Sequence, residues 1–353
     1  MSGMAEDDWQ AAWDPVVALV GSDLSRGEAR AGADAVEAGA IRRWLEPLEF
    51  DCALHSDPSV ARAHGHPDVI APYTSVGSFA MAAVRAPGQE IFVTAGRDAQ
   101  PVRGGGAPRL PPGAPPVTGY LATDLGVDWL RPVHVGEHLA RRGNRLIACE
   151  PKETRLGRGA FIKTESLVLD AAAQTVARYH TGLFLYDPAP RDRGANSQRR
   201  AATAPDPGAG PVAAETRGDR APIGDRLGPL AFPITVYRLV MAAGANRDFN
   251  PMHHNAEIAR RAGAPDMYAN SLFLQGMWER LVRGYIGPAG VIRQLAGFRM
   301  NSFNAAGDTV TVQGEVTECW DETEWRCARI RLWSLNGARI SVGPGTMTVA
   351  WPR

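Results

Sequence analysis

The residues best placed to do chemistry form one short run, Arg247-Asp248-Phe249-Asn250-Pro251-Met252-His253-His254. Pro251 favours an extended or turn conformation at Asn250 and can start a short helix at its own position. Asp248 and His253, five residues apart, can then converge across the bend. A carboxylate can orient an imidazole, and the two together can hold and activate one water, which is general acid–base chemistry. Taken alone, Asp248 reads more readily as a helix cap and His253 as a core or surface residue. Asn250 reads as a loop brace through its amide or as a plain turn residue. The adjacent His253 and His254 do not suggest a metal, because neighbouring side chains point apart and no carboxylate or thiol cluster follows.

The rest of the chain narrows what such a pair could serve. Its 353 residues suggest two domains at roughly 150 residues each. Lys and Arg together number 38, matched by 38 Asp and Glu, so no basic excess points to nucleic acid or an anionic membrane. No apolar stretch approaches the length of about 18 residues that a spanning helix needs. The opening MSGMAEDDWQAAWDP is acidic and lacks an apolar core, so it does not read as a secretory signal, and a cytoplasmic protein is expected. Lys152 and Lys163 are the only lysines, and neither sits in a Schiff-base motif. Cys52, Cys149, Cys319 and Cys327 lack CxxC spacing and paired histidines, so they read as free thiols. Neither metal nor cofactor is expected.

The elements that must position the pair come in two copies. His55–Thr74 (HSDPSVARAHGHPDVIAPYT) aligns without a gap to His253–Leu272 (HHNAEIARRAGAPDMYANSL) at an offset of 198. His55/His253, Ala61/Ala259, Arg62/Arg260, Gly65/Gly263, Pro67/Pro265, Asp68/Asp266 and Ala71/Ala269 coincide. An apolar stretch of helical periodicity follows each copy, Ser75–Val84 in the first and Ser271–Ile286 in the second, the latter stopped by Gly287-Pro288. Alternating, β-branched segments come next: Thr164–Leu169 and Thr175–Tyr186, then Thr309–Val316, Arg326–Leu335 and Ala338–Trp351. Each unit therefore reads as a central helix followed by an antiparallel sheet, an α+β arrangement. The polar run Asp187–Arg226, rich in Pro, Gly and Arg, reads as a linker, and Gly104–Pro116 as a loop without the GK[ST] of a phosphate site. The expected divisions are an extension 1–39, a first unit 40–186, a linker 187–227 and a second unit 228–353.

The run Asp248-Phe249-Asn250-Pro251-Met252-His253, with Ala259, Gly263 and Tyr268-Ala269-Asn270-Ser271, resembles the MaoC-like (R)-specific enoyl-thioester hydratases. Their pattern is D-x-N-P-x-H followed by an H-G-[ML] step into a long helix, and Gly307-Asp308-Thr309 resembles a later G-D-x-[LV] element. The resemblance is stronger over 228–353 than over 40–186. It implies a double hotdog, two long central helices wrapped by antiparallel sheets, with the second unit catalytic. It also implies hydration of a trans-2-enoyl thioester or the reverse dehydration, with Asp248 and His253 acting on one water. The backbone N–H at Ser271, where the family has glycine, would face the thioester oxygen, and Asn270 stands where the family has histidine. Asn250 and Asn270 would brace the loop. Phe249, Met252, Met267, Leu274 and Met277 would line the acyl pocket, wide enough for a bulky or sterol-derived chain, or would serve as ordinary core.

The implied partners are an acyl-CoA or acyl carrier protein thioester, and a second copy or a related hotdog subunit. A hotdog thioesterase and a non-catalytic acyl-binding subunit are the competing readings. In the first copy Phe50 stands at the position of Asp248, and Pro72, which has no N–H, stands at the start of the helix, so that half reads as non-catalytic. Arg329 and Arg331, on one strand with Arg326, would meet coenzyme A phosphates or simply solvate an outer sheet face.

Overall fold

The computed structural model describes residues 9–25, 27–101, 110–154, 157–188 and 221–353. Most of the expected linker, and residues 104–109 of the Gly/Pro-rich loop, lie outside the described residues. The first half runs α1 (Asp14–Val17), β1 (Ala29–Ala35), α2 (Ala38–Leu45), α3 (Pro58–Ala63), α4 (Val76–Phe79), β2 (Gly119–Trp129), β3 (His138–Thr154), β4 (Gly157–Leu169) and β5 (Thr175–Pro188). The second runs β6 (Arg226–Pro233), α5 (Val236–Asn246), α6 (Ala256–Arg261), α7 (Ser271–Ile286), β7 (Val291–Arg299), β8 (Thr309–Asp321), β9 (Trp325–Asn336) and β10 (Arg339–Pro352).

The ten strands among the described residues join one antiparallel sheet in the order β1-β3-β4-β5-β2-β7-β10-β9-β8-β6. Strands five apart in number occupy mirror-related places about the β2–β7 seam, so the two halves repeat one topology. At the seam Leu125 pairs with Phe298 and Val127 with Leu295, and the Gln294 amide donates to the Asp128 carboxylate at 2.8 Å. Alternation in β8 to β10 does what period-two patterning requires. Val310, Val312, Val316, Ile330, Leu332, Met347 and Val349 are all fully buried in the main core.

Helix α7 spans the residues its periodicity marked, and Gly287 ends it with a φ of 66°. Its middle is buried nearly all round, from Phe273 to Glu279. Gly276 is what lets the first half close on it. A Cβ there would stand 2.7 Å from the Trp44 ring and 2.6 Å from a Leu48 methyl.

Only one of the two expected long helices forms among the described residues. Where Ser75–Val84 was to continue, the chain makes a 3-10 turn, Tyr73–Ser75, and the single turn of α4. The obstacle is β1, which presses on the end of α4. A Cβ at Gly32 would fall 2.3 Å from the Phe79 carbonyl, and the Ala33 N–H takes the Met81 carbonyl at 2.9 Å, an acceptor another helical turn would need. Strand β1 also lies inside the stretch 1–39 set apart as an extension, yet it pairs with β3 as the sheet's edge. Nearby, Trp13 and Val16 pack with Leu146, Ala160, Ile162 and Leu185 into a second, smaller core. At the other division β6 begins at Arg226, inside the stretch given to the linker.

The shortened helix is tied to α7 by a carboxylate. Glu279 is fully buried and accepts from the Tyr73 N–H at 2.8 Å, the Thr74 N–H at 2.7 Å and the Thr74 hydroxyl at 2.6 Å. Burial pushes its pKa up, and these three donors together with the Arg283 charge oppose the shift. Replacing the carboxylate by an amide turns one acceptor into a donor that faces N–H groups. Glu279→Gln is therefore expected to cost about 2–3 kcal/mol. A urea midpoint equal to that of the wild-type chain would contradict this role.

Candidate active site

Helix α5 ends on Arg247, whose φ of 56° is left-handed and turns the chain sharply into Asp248. The Asp248 N–H closes the helix end on the Ala243 carbonyl at 3.0 Å. Asn250 then starts a 3-10 turn, Pro251–His253, by accepting the Met252 N–H on its side chain at 3.3 Å. The Asn250 N–H itself points to Asp248 Oδ1 at 3.3 Å. Proline supplies the φ this turn needs and has no N–H to leave unpaired.

The turn delivers His253 to Asp248. His253 Nε2 lies 3.5 Å from Asp248 Oδ2, and His253 is 8% exposed. The other ring nitrogen, Nδ1, lies 2.9 Å from the Tyr268 carbonyl. A carbonyl only accepts, so Nδ1 carries the proton and Nε2 of the neutral ring presents a lone pair beside the carboxylate. Both groups can reach one water from this spacing. Tyr268 packs its ring edge-on against the imidazole at 5.1 Å. Burial pushes its phenol up to about 12, so the Tyr268 hydroxyl stays protonated, donating to Met252 Sδ at 3.3 Å. His254 turns away to the Phe249 carbonyl at 3.2 Å. Among the described residues no group of three His, Cys, Asp or Glu side chains is placed to hold a metal ion.

The start of α7 completes the constellation. Asn270 Oδ1 caps the Phe273 N–H at 2.7 Å and also accepts from the Asn246 amide at 3.0 Å, which links α7 to the last turn of α5. The Leu274 N–H bonds the Asn270 carbonyl at 3.1 Å. The N–H groups of Ser271 and Leu272 are left as first-turn donors with no acceptor in the helix. Such a pair at a helix N-terminus suits an oxygen that gains negative charge.

Of the residues expected at the acyl pocket, Met267, Leu274 and Met277 are buried together in the main core, and Met252 is half-buried beside Tyr268. Phe249 does not join them; it is 47% exposed. Arg329 stacks on Trp320 and pairs with Glu318, Arg331 stacks on Trp333 and pairs with Glu315, and Arg326 approaches Asp321 at 3.8 Å. All three cations are thus matched within the sheet.

The first half repeats the bend without the carboxylate. His55 Nδ1 meets the Ile70 carbonyl at 2.8 Å, the same contact displaced by 198 residues. Phe50 packs edge-on against His55 at 5.3 Å, where the second half has a carboxylate. Tyr73 and Thr74, the equivalents of Ser271 and Leu272, give their N–H groups to Glu279. Sequence reasoning missed Glu279 and the role of the Tyr268 carbonyl. The constant spacing of fifteen residues after each histidine could have revealed the latter. Nothing marks Glu279, because with Arg283 it reads as an ordinary exposed i,i+4 pair.

Comparison with known proteins agrees with this architecture. Residues 27–179 match the family described as "FAS1-like, dehydratase domain region". A 3-oxo-4,17-pregnadiene-20-carboxyl-CoA hydratase beta subunit of Mycobacterium tuberculosis is 38% identical over 79 residues, 22% of this chain and 60% of that protein. A probable enoyl-CoA hydratase alpha subunit of Thermomonospora curvata is 28% identical over 191 residues, 53% of this chain and 54% of that protein. A solved MaoC-like dehydratase superposes with a TM-score of 0.65 at 20% identity, covering 94% of this chain and 98% of its own. A double-hotdog protein of Mycobacterium tuberculosis does so with 0.58 at 13% identity, covering 94% and 99%. The chain has the double-hotdog fold. It spans little more than half the length of the curated relatives that it matches.

Inside this double-hotdog fold, burial holds the His55 imidazole neutral, with its pKa pushed down from 6.5 to about 3. Below pH 6.5 the unfolded chain binds a proton that the fold refuses until near pH 3, so stability falls as pH drops through that window. At pH 5 the loss amounts to about 2 kcal/mol. Urea titrations at pH 7 and pH 5 should show this loss in the wild-type chain and not in His55→Gln, whose amide can still donate to Ile70. Equal pH dependence in both would count against it.

Proposed function

We propose that the chain hydrates trans-2-enoyl thioesters, or dehydrates the (R)-3-hydroxyacyl thioesters they form, at a single site in its second half. The observation that carries this reading is the approach of His253 Nε2 to Asp248 Oδ2, with Nδ1 committed to the Tyr268 carbonyl. One water held between the two groups would give hydroxide to Cβ and a proton to Cα on the same face. As the proton arrives from that face, charge that built up on the thioester oxygen during attack subsides. The N–H groups of Ser271 and Leu272 would hold this oxygen. Support for that role comes from the first half, where the equivalent N–H pair already holds the Glu279 carboxylate. Asn250 and Asn270 would brace the bend and the helix start. The first half, with Phe50 for the aspartate and its donors taken, would be the non-catalytic unit.

The acyl chain would be bulky. Shortening of α4 removes most of one central helix beside the core, and Met267 and Met277 are side chains that yield to a guest. The mycobacterial relative, named for a pregnadiene-carboxyl-CoA, is consistent with such a chain. Both curated relatives are named as subunits, which favours assembly with a related hotdog chain or a second copy. The four cysteines, all free, fit a reducing, cytoplasmic setting. No helix among the described residues is long and apolar enough to cross a membrane.

Loss of the enoyl-thioester absorbance with a series of enoyl-CoA substrates tests the reading. Asp248→Asn and His253→Gln should each lower hydration on the order of 100-fold or more. Release of free CoA without loss of the enoyl group would instead identify a thioesterase. A sharp optimum for short linear chains would remove the bulky-substrate assignment while leaving the reaction in place.

A further inference from the structure

The bend that carries Asp248 and His253 is fastened to the first half on both sides. On the near side, the Arg247 guanidinium donates from Nη1 to the Met81 carbonyl and from Nη2 to the Ala82 carbonyl, each at 3.0 Å. On the far side, the Asn255 amide donates from Nδ2 to Asp98 Oδ1 at 2.8 Å, while its Oδ1 caps α6 at the Glu257 and Ile258 N–H groups. Arg97, next to Asp98, lies 3.9 Å from Glu257. Arg247 directly precedes Asp248, and Asn255 follows His253 by two residues. From Ala82 to Asp98 the first half forms neither helix nor strand, and most of that stretch is exposed. Its length is set free by the early end of α4.

We infer that residues 82–98 are a strap across the Asp248–His253 bend, and that Arg247 and Asn255 are positioning residues that hold the bend through it. The inference rests on the hydratase reading for its kinetic consequence and on the two clamps alone for its structural one. Arg247 is costly where it stands, because a non-glycine side chain at φ 56° is strained and glycine would sit there more easily. The fork that reaches two successive carbonyls is what an arginine supplies and neither glycine nor lysine can reproduce. With the fork in place the chain cannot swing about Arg247, so the Asp248 carboxylate keeps its distance to His253. The non-catalytic half would thus contribute to the reaction by fixing the geometry of the other half's acid–base pair.

Two substitutions open the clamps without breaking what else those residues do. Arg247→Gly keeps the left-handed turn and removes the fork. Asn255→Asp keeps the α6 cap and sets a second carboxylate against Asp98. In the full chain, amide exchange across 82–98 and tryptic cleavage after Arg85 and Arg97 should both accelerate in each variant, while the melting temperature stays within a few degrees. With an enoyl-CoA that the wild-type chain turns over, kcat should fall about tenfold or more in each, since small misplacement of a catalytic group is expensive. The limbs of the pH–rate profile should move with it. The double variant should lose less than the product of the single effects, because both clamps hold one strap. Arg247→Lys, able to reach one carbonyl, should fall between. Unchanged exchange and cleavage in both single variants would overturn the strap. Faster exchange with unchanged kcat and pH profile would overturn the positioning role. A wild-type chain inactive on every enoyl thioester would sink the hydratase reading instead and leave the strap to be judged by exchange alone.

Discussion

A histidine that gives its Nδ1 proton to the carbonyl fifteen residues ahead sets the plan of both halves. In the second half this bond runs from His253 to Tyr268 at 2.9 Å, in the first from His55 to Ile70 at 2.8 Å. It pins the bend to the segment leading into the central helix and chooses the tautomer. Because Nδ1 is occupied, Nε2 must face whatever stands across the bend. The chemistry open to each bend depends on what stands there. Nε2 of His253 faces the Asp248 carboxylate at 3.5 Å, whereas Phe50 leaves the buried Nε2 of His55 without a hydrogen-bond partner among the described residues.

The two helix starts carry the same contrast. An N–H pair without helical acceptors favours an anionic oxygen by geometry and dipole alike. In the first half Glu279 supplies that oxygen from inside the molecule, and the pair becomes a structural joint between α7 and the remnant α4. In the second half Asn270 caps only the third donor of the helix, and the first two have no acceptor within the helix. One architectural unit, duplicated, thus serves once as a hinge pin of the fold and once as a candidate oxyanion site. The costs differ too. Burying Glu279 is tolerable only because three donors and the Arg283 charge surround it.

Much of this was legible because period and spacing are backbone properties. The 198-residue offset predicted not only residue identities but conformations. Gly65 and Gly263 both have positive φ, 83° and 95°, and Asp68 and Asp266 each accept the following residue's N–H at 2.7 Å. The bounds of α7 and the places of β8 to β10 followed from periodicity in the same way, although β8 runs on past Val316 to Asp321. What failed was tertiary. Ser75–Val84 has helical patterning, but β1 packs against Phe79 and takes the Met81 carbonyl, and no local signal announces a strand from forty residues upstream. Glu279 and Arg247 were opaque for the same reason: their partners, Tyr73, Thr74, Met81 and Ala82, are more than 150 residues away. Phe249 was placed with the pocket residues by its position in the motif, yet the turn at Asn250 directs it outward.

One water held between Asp248 and His253 is proposed to add across a double bond from a single face. Hydration of a trans-2-enoyl-CoA in D2O, followed by proton NMR and chiral chromatography of the 3-hydroxyacyl product, reads this directly. The expected product carries a (3R)-hydroxyl with deuterium at Cα delivered from the same face. A (3S) product, or deuterium delivered from the opposite face, would contradict it.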